Sequence, residues 1–156
     1  ENLLLRDNVK MHFTASAWVL NPSKNKVLML YHNIYQSWSW SGGHADGEGD
    51  LLSVAMKEVK EESGLVSLKP LSDSPISIEI LGVQPHYKKQ KYVSAHLHLN
   101  YTFLLHNTKE EKLKICPEEN SKVGWLSPDE AVRSSTEAWM KPIYKKLNQK
   151  MRKYLG

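Results

Sequence analysis

Residues 42–65 restrict the fold of this chain more tightly than any other stretch. Gly42 and Gly43 open a glycine-rich loop, and an amphipathic helix follows over Leu51–Ser63. Asp50 is a suitable N-cap, because its side-chain oxygen can accept one of the backbone N–H groups that a first turn leaves unpaired. Gly64 stands where a helix ends most easily in the left-handed conformation. At about 100° per residue, Glu58, Glu61 and Glu62 fall within an arc of roughly 100°. Leu52, Ala55, Met56 and Val59 form the neighbouring apolar arc, with Lys57 and Lys60 on the other side. Like charges three and four residues apart each destabilise a helix by about 0.2–0.5 kcal/mol, and more when shielded from water. A divalent cation relieves that repulsion, and hard cations prefer oxygen ligands. The competing reading is a solvated acidic face balanced by the two lysines.

The same stretch resembles the Nudix box: a glycine, five residues, a glutamate, seven residues, then Arg-Glu-apolar-any-Glu-Glu-any-Gly-apolar. Gly43, Glu58, Val59, Glu61, Glu62, Gly64 and Leu65 occupy matching positions. Gly49 stands in place of the first glutamate and Lys57 in place of the arginine. The resemblance implies an α/β/α sandwich with a mixed β-sheet. It also implies a hydrolase that cleaves the pyrophosphate linkage of a nucleoside diphosphate joined to another moiety, with Mg²⁺ or Mn²⁺. Carried over position by position, the metal set is the Gly43 carbonyl with Glu58, Glu61 and Glu62. Glu119, preferred over its neighbour Glu118, is the candidate for an additional metal-binding acid from a later loop. Glu58 and Glu61 are the candidate catalytic residues, and which carboxylate acts as base stays open. Asp46 and Glu48, inside the box loop, are candidates for supporting roles. In the family the first glutamate and the arginine support the catalytic glutamates as an outer charge pair. Lys57 keeps the charge but lacks the planar two-pronged donor of arginine. Glu48 or Asp50 could stand in for the missing glutamate, and reduced support is expected rather than loss of activity. The alternative that these departures favour is a catalytically weak nucleotide-binding module on the same fold. An isomerase on the same fold would be expected to use a cysteine and a glutamate in its cleft, whereas Cys116 lies far from the box in sequence.

At 156 residues the chain suits one domain, 1–156, with a substantial core. No apolar run approaches the roughly 20 residues of a membrane span, and the N-terminus lacks a signal-peptide pattern. Cys116 is the only cysteine, so no internal disulfide forms, and a cytoplasmic location is expected. The net charge of +4, supplied largely by lysines at 88–91 and 141–153, would help attract a small polyanionic substrate. Those lysines show no interleaved aromatics, so no nucleic-acid partner is expected. The oligomeric state is open, a homodimer included. Glu1 begins without a cap ahead of Leu3, Leu4 and Leu5, which suggests a start inside a longer N-terminal element.

Along the chain, Met11–Leu20 and Lys26–Tyr31 read as strands joined through an Asn-Pro-Ser turn, a hairpin by its turn chemistry. Asn33–Ser41 is an aromatic loop or short strand. Residues 70–75 are expected to be loop, Ile76–Val83 strand, and Gln84–Lys91 a polar connection. From Val93 to Leu105 apolar and mostly polar residues alternate with period two, which specifies a strand with one face of each kind. Lys112–Ile115 and Lys122–Leu126 are short strand candidates. Ser127-Pro128-Asp129-Glu130 is a capping box with proline at the first helical position. A last helix over about Thr136–Tyr154 would bury Met140, Ile143, Tyr144, Leu147, Met151 and Leu155, with Pro142 in its first turn or at a kink. His96 and His98 share the polar face of the long strand and are candidates for lining a substrate cleft. Two histidines at this spacing can also bind a transition metal, which a carboxylate Mg²⁺ site makes unnecessary. Tyr35 and Trp40 are candidates for stacking on a nucleobase, and one of Trp38 and Trp40 is expected to pack in the core.

Overall fold

The computed structural model describes residues 2–156; Glu1, and with it the reading of an uncapped start, lies outside the described residues. Met11–Leu20 (β1) is the central strand, and its residues from Thr14 onward are buried on both faces. One edge of β1 runs parallel to His96–Asn107 (β9), in register from Met11 opposite Leu97 to Leu20 opposite His106. Its other edge is divided. Ser41–His44 (β4) pairs antiparallel with Thr14–Ala17, and Val27–His32 (β2) joins where Leu20 meets Val27. Beyond β2 lie Ser37–Ser39 (β3) and Asn120–Leu126 (β10), while Leu68–Pro70 (β5) and Ser77–Val83 (β6) both pair antiparallel with β9.

Side chains alternate across a strand, so the two faces of β1 go to different layers. Ala15, Ala17 and Val19 pack with Val54, Ala55 and Val59 of Leu51–Ser63 (α1), and with Phe103 and Leu105 of β9. Trp18 and Leu20 face the other way, into a cluster with Leu104, Tyr144, Leu147 and Met151. The last three belong to Lys141–Leu155 (α3), which Pro128–Arg133 (α2) accompanies. A mixed sheet thus lies between helices on both faces, the expected α/β/α sandwich.

Both helix starts follow local chemistry. Asp50 accepts the Ser53 N–H, and the Ser127–Glu130 capping box closes in both directions. Pro142 lies in the first turn of α3, where its missing N–H is not needed.

Several boundaries differ from the sequence reading. Gly42 and Gly43 are in strand β4, because pairing with β1 brings the backbones close: a Cβ on Gly42 would lie 2.8 Å from the Ala15 carbonyl oxygen. The long strand begins at His96 and runs to Asn107, whereas Val93 belongs to a separate hairpin, His86–Lys88 (β7) with Lys91–Val93 (β8). Lys89 and Gln90 both take positive φ at its tip, which lets the presumed polar connection double back. Pro70, placed in a loop, ends β5 at the edge of the sheet, where a missing donor is tolerated. Lys112–Ile115 forms no strand; the Lys114 N–H is taken by the Ser63 carbonyl, and Leu113 packs beneath α1. The final helix begins at Lys141, and Leu155 is 39% exposed. Asn148 replaces Leu155 in the buried stripe, accepting the Trp18 indole N–H and donating to the Pro128 carbonyl.

Gly64 ends α1 at φ 79°, and a Cβ there would approach the Lys114 side chain to 3.1 Å. The left-handed conformation costs a residue with a Cβ about 1–2 kcal/mol. Gly64→Ala is therefore expected to lower the melting temperature by several degrees, at about 2–4 °C per kcal/mol for a chain of this size. An unchanged thermal melt would show that the cap relaxes freely.

Candidate active site

The three helix carboxylates occupy different environments. Glu62 is turned inward and is only 6% exposed. Its Oε1 accepts from Ser41 Oγ at 2.8 Å and from the Gly42 N–H at 3.1 Å, which leaves Oε2 for a ligand. Burial raises the Glu62 pKa to about 8 against these two bonds, and Glu58 and Glu119 add repulsion. Glu58 lies over Gly43, where a Cβ would overlap its side chain, so any other residue there would displace the carboxylate. Burial, then Glu61 and Glu119, push the Glu58 pKa to about 7. Glu61 is exposed and stands 3.8 Å from Lys57 in a solvent-exposed pair, an arrangement that contributes little to stability.

Glu119 arrives from the loop before β10 and is held by its backbone, its carbonyl accepting the Asn33 N–H at 3.0 Å. Its neighbour Asn120 is buried and donates to the Glu62 carbonyl at 2.9 Å, tying this loop to the end of α1. Glu118 is exposed. Glu48 and Asp50 are engaged locally: Glu48 accepts the Asp50 N–H, and Asp50 accepts from Ser53. A side chain at residue 49 would meet nothing within 4 Å. Asp46, at φ 48°, forms a two-pronged ion pair with Arg6 at 2.8 and 2.7 Å, and that bond holds its carboxyl below the usual range.

A cleft of about 280 Å³ opens beside these carboxylates, lined by Gly43, Glu62, Tyr35, Trp40, His98 and Trp139 among others. Glu58, Glu61, Glu119 and His96 do not line it. Its floor is a buried polar ladder in which Thr14 donates to Asn100, and Asn100 donates to Ser16 and Thr102. Thr102 donates to Glu79, which Lys146 approaches at 3.4 Å. Tyr35 is 41% exposed and stacks on His32 at 4.5 Å. Trp40 meets the Tyr144 ring edge-on, and its backbone N–H donates to the Tyr144 hydroxyl. Trp38, edge-on to Tyr31, and Trp40 are both half-buried and both pack against the α3-side core.

One group was not legible in the sequence. His12 of β1 and His44 of β4 join His96 and His98 of β9, with ring centroids 4.8–5.1 Å apart. Burial and neighbouring cationic groups hold both His44 and His98 at about 3, and burial also lowers His12. Arg6, Asn120 and Trp139 were likewise missed. Arg6 sits in an irregular segment, Asn120 resembles any loop asparagine, and Trp139 lies within what read as helix. The His-x-His spacing was the only visible part of the histidine group, because its other members are far away in sequence.

The hard oxygen donors around Gly43 suit a divalent cation: two of the carboxyls are raised because like charge and burial oppose ionisation, and the donor set is oxygen throughout. Comparison with known proteins agrees with this chemistry. The family model for the NUDIX domain matches residues 10–147. No match was found among curated proteins. Among solved structures, the Ap4A hydrolase of C. elegans in a binary complex is 18% identical, with a TM-score of 0.65 over 88% of this chain and 95% of that one. A NUDIX-family hydrolase from Clostridium perfringens is 17% identical, with a TM-score of 0.65 over 90% of this chain and 96% of that one. The dihydroneopterin triphosphate pyrophosphohydrolase of E. coli is 16% identical, with a TM-score of 0.61 over 86% and 92%. With the family model spanning most of its length, the chain belongs to the NUDIX domain family of pyrophosphohydrolases, which act on phosphoric anhydrides.

Proposed function

We propose that this protein hydrolyses the pyrophosphate linkage of a nucleoside diphosphate derivative with Mg²⁺ or Mn²⁺, as one domain in a reducing cytoplasm. The observation that carries the reading is the convergence of two helix carboxylates on the glycine pair, Glu62 on the Gly42 N–H and Glu58 over Gly43, with Glu119 close enough to raise both. Glu58, Glu61, Glu62, Glu119 and the Gly43 carbonyl would hold the metal. Bound there, it would neutralise phosphate charge and ease ionisation of an attacking water. Of these carboxylates we take Glu58, which lies over Gly43, as the one that would accept the water's proton. Glu62, fixed by Ser41 and Gly42, orients the acidic cluster against the cleft. Tyr35, Trp40 and the exposed Trp139 offer aromatic surface to a base, and His98 lines the same cleft while His96 steadies it. The small concave site favours a small nucleotide-derived substrate over a polymer. The activities of the C. elegans and E. coli proteins support this class without fixing the nucleotide. A screen of nucleotide derivatives with product identification would name it.

Glu58→Gln is expected to reduce turnover by about 10²–10⁴-fold, the range for loss of a general base. Its metal-free melting temperature should be unchanged or higher, because a repelling charge is removed. Normal turnover with a lowered melting temperature would make Glu58 structural.

Tyr35→Ala or Trp139→Ala should raise KM by roughly 5–150-fold if the ring stacks on a base, the equivalent of about 1–3 kcal/mol. Unchanged kinetics in both would remove the aromatic rim from substrate recognition.

The acidic site also sets a pH dependence. Glu58 and Glu62 are raised from 4.5 to about 7 and about 8, so the folded state binds extra protons in that window. Stability of the metal-free protein must then fall as pH rises through it. Thermal melts in chelator should show this decline, Glu62→Gln should flatten it, and Mg²⁺ should restore more at the alkaline end. A flat profile would show that the two carboxyls are relaxed without metal.

Restoring the box with Gly49→Glu and Lys57→Arg should raise turnover within about 10–100-fold, the scale on which outer-sphere partners matter. Space for the new glutamate exists. A double-mutant cycle on turnover should be non-additive, and additive effects would show that the two positions act independently.

A further inference from the structure

The histidine group is built differently from the carboxylate site. Register places His12 directly beside His98 on the parallel pair β1–β9, and sets His44 opposite Thr14 on the other edge of β1. One ring nitrogen from each of His12, His44 and His98 lies within 4.8 Å of the others. His12 is 4% exposed, and its Nε2 has no hydrogen-bond partner among the described residues. Its Nδ1 lies 3.1 Å from the Asn8 carbonyl oxygen. A carbonyl only accepts, so Nδ1 carries the proton and Nε2 presents a bare lone pair. Leaving a buried nitrogen unpaired is unfavourable, and nothing among the described residues satisfies it. A backbone carbonyl on the far ring nitrogen is also the usual way a metal-binding imidazole is oriented. His96 repeats the device: its Nδ1 lies 2.7 Å from the Ser94 carbonyl oxygen, which directs its Nε2 lone pair at His98 Nε2, 3.1 Å away.

We propose that His12, His44 and His98 form a second metal site, for a borderline transition ion of the Zn²⁺ type, distinct from the oxygen-lined carboxylate site. Neutral imidazole suits Zn²⁺, and Mg²⁺ discriminates against it. Zinc–nitrogen bonds of about 2.0–2.1 Å would draw the three nitrogens, now within 4.8 Å of one another, in to roughly 3.3 Å. Three protein ligands leave a fourth position open, and His44 and His98 both line the cleft. His96 is a positioning residue that holds His98 from outside the triad. A bound ion would clip β1, β4 and β9 together at the cleft floor.

The test is Zn²⁺ titration of the whole protein in competition with a chromogenic chelator, with Co²⁺ as a spectroscopic substitute. One ion per chain should bind in the protein as it stands and in Glu58→Gln/Glu62→Gln. His44→Asn and His98→Asn should lose it, and His96→Gln should weaken it by about 10–100-fold. Because a histidine variant can fail to fold, the unmodified protein supplies an independent readout. Zn²⁺ should shift the imidazole proton resonances of the triad, and Co²⁺ should give the visible bands of a low-coordinate nitrogen site. Undisturbed imidazole signals, or Zn²⁺ binding lost in the carboxylate variant and kept in the histidine variants, would overturn the proposal. None of these measurements reads hydrolysis, so the outcome stands apart from that of the proposed function.

Discussion

Burying the Glu62 carboxylate is the constraint on which the mouth of the cleft depends. A carboxylate out of water needs donors, and β4 supplies two, the Ser41 hydroxyl and the Gly42 N–H. The backbone of the same residue is held from the other side by Asn120. One glutamate therefore joins the end of α1, the glycine strand and the loop carrying Glu119. These bonds do not fully compensate its burial, which is why its carboxyl still titrates at about 8. The site stores an imbalance of the kind that a cation would relieve, and active sites commonly carry such imbalance at some expense in stability.

The second organising fact is a change of polarity along a single sheet face. On β1, His12, Thr14 and Ser16 are succeeded by Trp18 and Leu20; on β9, His98, Asn100 and Thr102 are succeeded by Leu104. The parallel register aligns the two series, so polar meets polar and apolar meets apolar. The cleft stops where Trp18 stacks on Tyr144 at 5.4 Å and the α3-side core begins. Tyr144 belongs to both regions, since its hydroxyl accepts the Trp40 N–H at the cleft wall. Each side chain of the floor ladder is bonded to its neighbours, an arrangement that defines one geometry when fully satisfied.

Local chemistry in the sequence was enough to determine α1 with both of its caps, the α2 capping box, β1, and the spacing of Glu58, Glu61 and Glu62 on one helical arc. Each depends on residues a few positions apart, where helical and strand periodicities act directly. The glutamate that faces inward, the glycine that seats Glu58, and Asn120 were decided by the packing of α1 on β4. The β7–β8 hairpin and the edge strand β5 were not legible, because short strands gain their definition from a partner. The histidine group is the clearest case. His96 and His98 were visible as a pair two residues apart, but His12 and His44 lie on other strands. Only the parallel pairing of β1 with β9, and the share of β1's other edge that β4 occupies, bring four imidazoles together, since register is a property of strands meeting and not of either strand alone.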